Sequence, residues 1–185
     1  VADSHRPQGR SHGQGRRIAL VVSIPERSAS LRDVLRDIEN QVDEIRILLN
    51  EFEAVPQDLR EHKKVSTVQT SRTGELFASG VWNLLKTDDE GYVFVIDDDI
   101  AYPPDYVERM TSKIEEYQRR AVMVVHGIDF CEPFEDYVRD RTVYRFEVNR
   151  RRDCAVDAGG VGTLAFHTST IRPCVQDFQN PNFRD

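Results

Sequence analysis

YVFVIDDDIAYPPDY, residues Tyr92 to Tyr106, joins an apolar run to three consecutive aspartates and a Tyr-Pro-Pro turn. Three adjacent carboxylates repel one another at the end of a buried strand, and a divalent cation is what makes such a cluster favourable. Because strand side chains alternate between two faces, Asp97 and Asp99 are predicted to point to one side and Asp98 to the other. The alternative interpretation is a solvated acidic turn.

The composition is that of one water-soluble domain, with 185 residues, of which 31% are charged and 39% hydrophobic. The formal charge of −7 argues against nucleic acid as a main partner. No apolar run approaches the roughly 18 residues of a transmembrane helix, and no signal peptide is visible. The chain starts with Val rather than Met, so we expect an excised piece of a longer protein.

The cysteines and the basic tail bear on location. Cys131, Cys154 and Cys174 are odd in number and lack CxxC spacing, which favours reduced thiols in a cytoplasmic protein over a disulfide framework or a zinc site. Residues 1–16 are rich in Gly, Ser and Arg and are predicted to form a disordered tail. Its positive charge leaves a peripheral contact with an anionic membrane open.

Residues 17–185 are predicted to form a single α/β domain. Apolar runs at 17–24, 44–50, 65–68, 92–96 and 121–126 predict strands, with helical patterns after 30, near 56–61, at 76–85 and after Pro104. Ser30 and Asp33 resemble a capping box. This alternation is typical of a mainly parallel sheet covered by helices. After Cys131 only short strands are predicted, at 142–148, 154–156 and 161–167, so the second half is expected to be more antiparallel.

Four segments in this order resemble the nucleotide-sugar glycosyltransferases of the GT-A fold, and in particular bacterial family 2 enzymes. They are SIPER at 23–27, LLNEF at 48–52, VIDDDIAYPPDY at 95–106 and VDAGGVGTLAFHTS at 156–169. The resemblance covers nearly all of the chain beyond the tail. It implies a three-layer sandwich with a nucleotide-binding half at 17–130 and an acceptor-side half at 131–185.

The resemblance assigns donor and metal contacts to the ends of the first strands. It implies that Asp97 and Asp98 meet the nucleotide part of the donor, and that Asp99, with Asp97, holds Mn²⁺ or Mg²⁺ at a DXD motif. The further nucleotide-binding candidates are Pro25, Arg27, Asn50 and Arg72. A surface ion pair of Arg27 with Glu26, and a loop hydrogen bond of Asn50, are the structural alternatives.

The glycine-rich segment is expected to border the sugar and the acceptor. Three glycines in four positions let a backbone approach a flat ligand closely, although a strained hairpin would also use them. The candidates here are Gly160, Gly162, Thr163 and His167, of which the histidine could instead be a structural residue at a strand end. The segment lacks the GKS/T ending of a phosphate-binding P-loop.

An inverting transferase needs a general base for the acceptor hydroxyl. The resemblance places it at Asp185, with Asp157 as competitor. Because Asp185 is the last residue, we expect the acceptor side to be truncated at the C-terminus.

Taken together, the sequence predicts a hexosyltransferase that uses a nucleoside diphosphate sugar, by default a UDP-sugar. The expected acceptor is a hydroxyl on a glycan or glycolipid, in polysaccharide or glycoconjugate synthesis. A sugar nucleotidyltransferase is the competing enzyme, although residues 23–27 lack its glycine-rich loop. A phosphohydrolase with an aspartate nucleophile lacks DxDxT near the first strand. A binding module that holds nucleotide-sugar or glycan without turnover is the non-enzyme alternative.

Overall fold

A computed structural model describes residues 15–70, 78–146 and 152–178 of the chain. The strands in chain order are β1 (Arg16–Ser23), β2 (Glu44–Asn50), β3 (Val65–Thr70), β4 (Gly91–Ile96), β5 (Gly127–Phe130), β6 (Arg141–Tyr144), β7 (Ala158–Gly159) and β8 (Thr163–His167). The helices are α1 (Ser28–Ile38), α2 (Gln57–Glu61) and α3 (Tyr106–Glu116), with 3₁₀ turns at Pro25–Arg27, Ala78–Leu84 and Val175–Phe178.

The main sheet has five strands in the order β3-β2-β1-β4-β8. Strands β1 to β4 are parallel, and β8 closes the sheet antiparallel to β4. All six residues of β4 are buried, as expected of a strand covered on both faces. The predicted α/β class with a mainly parallel sheet is therefore confirmed.

Two apolar layers flank this sheet and make the architecture a three-layer sandwich. On one face, helices α1 and α3 pack against the sheet. The buried residues there are the predicted apolar stripe of α1, which is Leu31, Val34, Leu35 and Ile38, and Val107 and Ile114 of α3. On the other face, Val81, Trp82 and Leu84 cover β1 and β4. The sequence predicted a helix at 76–85; the described part, from residue 78, is a 3₁₀ helix.

A buried ionic network lies under the second face. The Arg46 guanidinium, 3% exposed, donates to Asp89 at 2.7 Å, to Glu44 at 2.8 Å and to the Leu84 carbonyl at 2.7 Å. Burial raises the pKa of Asp89, but the hydrogen bonds from Arg46 and from the Lys86 backbone outweigh it, so the pKa is lowered overall. This network fixes the turn that leads into β4.

The second half contains a separate antiparallel sheet of order β6-β5-β7. The strand predicted at 121–126 is wrong: only Met123 bridges there, to Ala165, and the strand proper is β5. Residues 154–156 form no strand, since the pairing falls on β7 instead. The predicted capping box is also wrong, because α1 begins at Ser28 and the Ser30 hydroxyl donates to the Arg27 carbonyl.

Within residues 15–70, 78–146 and 152–178, no helix is long and apolar enough to cross a membrane. Cys131, Cys154 and Cys174 all lie in the described part of the chain and are exposed.

Candidate functional site

The carboxyl ends of β1, β2 and β4 meet at one edge of the sheet because these strands run parallel. Pro25–Arg27 continues from β1, Asn50 ends β2 and Asp97–Asp99 follow β4. In open α/β sheets, ligands lie beyond this edge. The fold therefore places most of the predicted donor-side residues along one line.

The three aspartates alternate as the strand period predicts. Asp97 and Asp99 are exposed, whereas Asp98 is only 2% exposed. Desolvation, followed by the negative charges of Asp99 and Asp98, raises the pKa of the Asp97 carboxyl, and Arg27 partly opposes this. Asp98 thus points into the protein rather than toward a ligand at the strand edge.

Arg27 is the cation that balances this cluster. Its Nη1 atom lies 3.0 Å from Asp98 Oδ1 and 3.0 Å from Asp99 Oδ2, so one guanidinium nitrogen contacts an inner and an outer carboxylate. The hydrogen bond to Asp98 and the charges of Asp98 and Asp99 raise the pKa of Arg27, which keeps it positive. The alternative ion pair with Glu26 is not formed in this arrangement. The other buried oxygen of Asp98, Oδ2, has no hydrogen-bond partner among the described residues.

Tyr102 joins the acidic turn to the glycine-rich segment, and the sequence reasoning missed it. Its hydroxyl accepts a hydrogen bond from the Asp97 backbone N–H at 2.9 Å and donates to the Gly162 carbonyl. Tyr102 is 5% exposed, and its ring packs at a tilt against that of Tyr106, with the ring centroids 4.9 Å apart. The available signal was a tyrosine at the start of a Pro-Pro turn, three residues after the aspartates. A buried phenol in such a place usually has a hydrogen-bond partner for its hydroxyl.

The glycine-rich segment reaches the same edge because β8 begins where β4 ends. Ile96 pairs with Thr163, which brings Gly162 against the Asp97 carboxyl. A Cβ atom added to Gly162 would overlap that carboxyl, with Oδ1 at 2.9 Å and Oδ2 closer. The absence of a side chain at Gly162 is therefore what allows Asp97 its position.

Gly160 and Thr163 serve the packing of this segment in the structure. A Cβ atom on Gly160 would lie 2.6 Å from Nδ1 of His126. The Thr163 hydroxyl, 5% exposed, accepts hydrogen bonds from the backbone N–H groups of Val125 and His126 at 3.2 and 3.3 Å. Both residues hold the turn beside the aspartates.

Asn50 and Asp157 have protein partners. Asn50 accepts a hydrogen bond from the Thr70 hydroxyl at 2.7 Å, at the ends of two neighbouring strands. Asp157 is exposed and lies in the small sheet, where its Oδ2 accepts a hydrogen bond from the Phe130 backbone at 2.8 Å. The predicted residues Arg72 and Asp185 lie outside the described part of the chain.

His167 lies away from the aspartates, contrary to the grouping that the sequence favoured. It pairs with Tyr92 at the amino end of β4, because β8 runs antiparallel, and its ring packs edge-on against Tyr92. A cavity of about 750 Å³ opens at that end. Two of its arginines are already paired, Arg16 with Glu44 at 2.8 Å and Arg119 with Glu115 at 2.6 Å. We therefore locate the candidate site at the other end of the strand.

A cation fits this site only if the phosphates of a bound donor supply part of its coordination. Among the described residues, no group of three or more His, Cys, Asp or Glu side chains is arranged to hold a metal ion. The exposed carboxylates of Asp97 and Asp99 nevertheless offer the oxygen donors that a hard divalent cation prefers. Mg²⁺ is commonly held by one or two carboxylates with substrate phosphates and water completing its shell. The residues present fit a cation that arrives with a phosphate group.

The three-layer sandwich around a mainly parallel sheet and the acidic end of β4 define a GT-A-like α/β protein. The chain belongs to glycosyl transferase family 2, because the sequence pattern of that family matches residues 21–172. The predicted family is thereby confirmed. No curated protein sequence matches the chain.

Solved structures support the fold alone, because their sequence identities are low. The chain is similar to 4-diphosphocytidyl-2C-methyl-D-erythritol synthase from Anaerococcus prevotii, with 14% identity, a TM-score of 0.54, and coverage of 92% of this chain and 78% of that one. It is also similar to TarS 1–349 of S. aureus, with 10% identity, a TM-score of 0.50, and coverage of 83% of this chain and 47% of that one.

Proposed function

We propose that this chain catalyses metal-dependent transfer of a sugar from a nucleoside diphosphate sugar to a hydroxyl acceptor. Membership of glycosyl transferase family 2 supports glycosyl transfer in general. The observation that carries the finer proposal is the convergence of Asp97, Asp99, Arg27 and Gly162 at the carboxyl edge of the sheet. Acidic groups for a cation and a guanidinium for phosphate meet there, and Gly162 leaves room for the Asp97 carboxyl.

The residues divide into two parts by charge. Asp99, with Asp97, would hold Mn²⁺ or Mg²⁺, which when bound supplies Lewis-acid stabilisation of the negative charge on the departing nucleoside diphosphate. Arg27 offers planar donors to the same diphosphate. Asp98 is placed to hold Arg27 rather than to contact the donor, since it is buried and only 3.0 Å from that guanidinium.

The sugar side is formed by backbone. Gly162 leaves the Asp97 carboxyl accessible, and Tyr102 keeps the two at a fixed separation through its hydroxyl. We propose that these contacts fix where the Asp97 carboxylate meets the donor. A pre-set arrangement of this kind lowers the entropy that a bound donor must lose before reaction.

We further propose an inverting reaction with Asp185 as the general base that takes the proton of the acceptor hydroxyl. Asp157 is the weaker candidate, because one of its carboxylate oxygens already holds the Phe130 backbone. UDP-hexoses are the donors to test first, with glycans or glycolipids as acceptors, as expected in polysaccharide or glycoconjugate synthesis. We also propose a cytoplasmic location, which the odd number of cysteines and their lack of CxxC spacing support.

A donor panel tests the proposal. Thermal stabilisation by UDP, GDP and their sugars is measured with and without Mn²⁺, followed by release of nucleoside diphosphate. We expect Mn²⁺-dependent stabilisation and slow release, both abolished in Asp99→Ala. Asp105→Ala is the matched control, since Asp105 is a partly exposed aspartate paired with Arg109 outside the site. Near-normal turnover in Asp99→Ala would refute the metal role.

The same panel separates the alternatives. A nucleotidyltransferase releases pyrophosphate from a nucleoside triphosphate and a sugar phosphate, whereas a glycosyltransferase releases nucleoside diphosphate. A binding module shows stabilisation without release of either product. The loop after β1 argues against the nucleotidyltransferase, because Pro25–Arg27 leads directly into α1 with no glycine-rich turn for a triphosphate.

A further inference from the structure

Arg27 contacts the acidic cluster in an unequal way. Its Nη1 atom is 3.0 Å from both Asp98 Oδ1 and Asp99 Oδ2, but the side chain of Asp98 is 3% exposed and that of Asp99 is 46% exposed. The Arg27 side chain itself is 50% exposed. One contact is thus anchored inside the protein, and the other lies on the ligand side, where it can be exchanged.

The charges show why Arg27 holds this place without a ligand. Three carboxylates in sequence would repel strongly, and Arg27 is the one cation in contact with two of them among the described residues. A cation that binds Asp99 approaches the carboxylate that Arg27 already holds. Because the two positive charges repel each other at this short range, binding of the divalent cation favours release of Arg27 from Asp99.

We propose that Arg27 acts as an internal substitute for the cation, and that the donor diphosphate draws it from Asp99 to admit the metal. This inference rests on the proposed function and deepens it. Arg27 is a positioning residue for the cation: in the free protein it competes with the metal, and in the complex its bidentate donors turn to the phosphates. Asp98 keeps the guanidinium nearby during the exchange.

The consequence is a coupling between two ligands. Without nucleotide, the cation binds weakly because it competes with Arg27. With nucleotide, Arg27 turns to the phosphates and no longer competes for Asp99. The cation then binds more tightly than its own contacts with the phosphates would explain. By reciprocity, the cation must tighten the nucleotide by the same factor. The arrangement disfavours a metal-loaded site with no donor in it.

The experiment measures Mn²⁺ binding directly, by electron paramagnetic resonance of the free ion, with and without UDP or GDP. The wild type should bind Mn²⁺ weakly alone and more tightly with the nucleotide. Arg27→Gln should bind Mn²⁺ alone about threefold to tenfold more tightly, as removal of one exposed competing charge implies. The tightening caused by nucleotide should shrink in the same variant.

Two further variants act as controls. Arg32→Gln removes a similar ion pair on α1, with Asp58, from a side chain 44% exposed, and should behave as the wild type. Arg27→Lys keeps the charge and should restore weak Mn²⁺ binding without nucleotide. Melting temperatures of all variants report whether the fold is kept.

The outcomes separate this inference from the proposed function. If the wild type binds Mn²⁺ with nucleotide but Arg27→Gln gains no affinity without it, the exchange role is wrong while the transferase proposal stands. If Arg27→Lys gains as much Mn²⁺ affinity without nucleotide as Arg27→Gln does, the idea that the positive charge of residue 27 competes with the metal is wrong as well. If no protein binds Mn²⁺ with either nucleotide, and no donor is consumed, both proposals fail.

Discussion

The close approach of Gly162 to Asp97 leads to a prediction whose size follows from the structure. In Gly162→Ala, the added methyl group would overlap the Asp97 carboxyl. Real Cβ atoms keep at least 3.0 Å from such neighbours, so the carboxyl must retreat by about 1 Å. The Gly162 backbone is not in the left-handed region, so alanine adds no backbone strain.

The expected effect is on the reaction rather than on folding. A misplacement of about 1 Å at a positioned group lowers a rate about 100-fold, which corresponds to about 2.7 kcal/mol of transition-state stabilisation. The free energy of unfolding should change by less than about 1 kcal/mol, because Asp97 is an exposed residue at the end of its strand. For a chain of this size that is a shift in melting temperature of about 2–4 °C at most.

The assay is kcat/KM for the donor that the panel identifies, together with the melting temperature by calorimetry. Gly159→Ala is the matched control, because it lies in the same segment but its added Cβ meets Val124 Cγ1 at 2.6 Å and no aspartate. The reasoning is refuted if Gly162→Ala keeps wild-type kcat/KM. Equal losses in both variants would also refute it, since they would point to general disturbance of the segment.

Three other predictions concern the framework around the site. Tyr102→Phe removes the hydroxyl that joins two buried backbone groups and should cost about 1–3 kcal/mol by denaturant unfolding, with weaker Mn²⁺-dependent nucleotide binding; unchanged stability would contradict this clamp. Asp89→Asn should cost about 3–5 kcal/mol, because it leaves the buried charge of Arg46 poorly compensated. The folded-state pKa of Asp89 is lowered, so its contribution to stability is fully present above its unfolded value of about 3.9 and is lost as pH falls through the folded pKa. The free energy of unfolding should therefore fall less steeply with acid in Asp89→Asn than in the wild type. Parallel plots of that free energy against pH would contradict this. His167→Asn should leave kcat/KM for the donor unchanged, since His167 lies at the other end of β4; a 100-fold loss, on the order of a displaced site residue, would place it in the site.

The sequence predicted the parts of the fold that are decided locally. β1, β2 and β4 are continuous apolar runs, and the stripe of α1 follows a helical period, so burial alone identifies them. The arrangement of the acidic cluster was also predictable, because strand alternation places Asp97 and Asp99 on one face and Asp98 on the other. These features depend on a few consecutive residues and not on the path of the chain.

Long-range pairing explains the errors. Residues 121–126 are as apolar as a strand, but β8 occupies the position beside β4, which leaves only Met123 to bridge. His167 was grouped with the site because it ends a strand, yet an antiparallel strand ends at the opposite edge. The contact of Arg27 with Asp98 joins residues 71 positions apart, which no local pattern specifies. Propensity identifies a strand, whereas its neighbour and direction are set by the whole sheet.

The reversal at β8 is what builds the candidate site. A parallel fifth strand would begin at the amino edge of the sheet and would deliver its preceding segment there. Because β8 runs against β4, its first residue, Thr163, pairs with Ile96, and the glycine-rich segment arrives beside Asp97. Tyr102 then locks the two segments through one buried hydroxyl. The acidic turn and Gly162 are thus held at the ends of two hydrogen-bonded strands, and sites built on strands can position a donor to within the tolerance that catalysis requires.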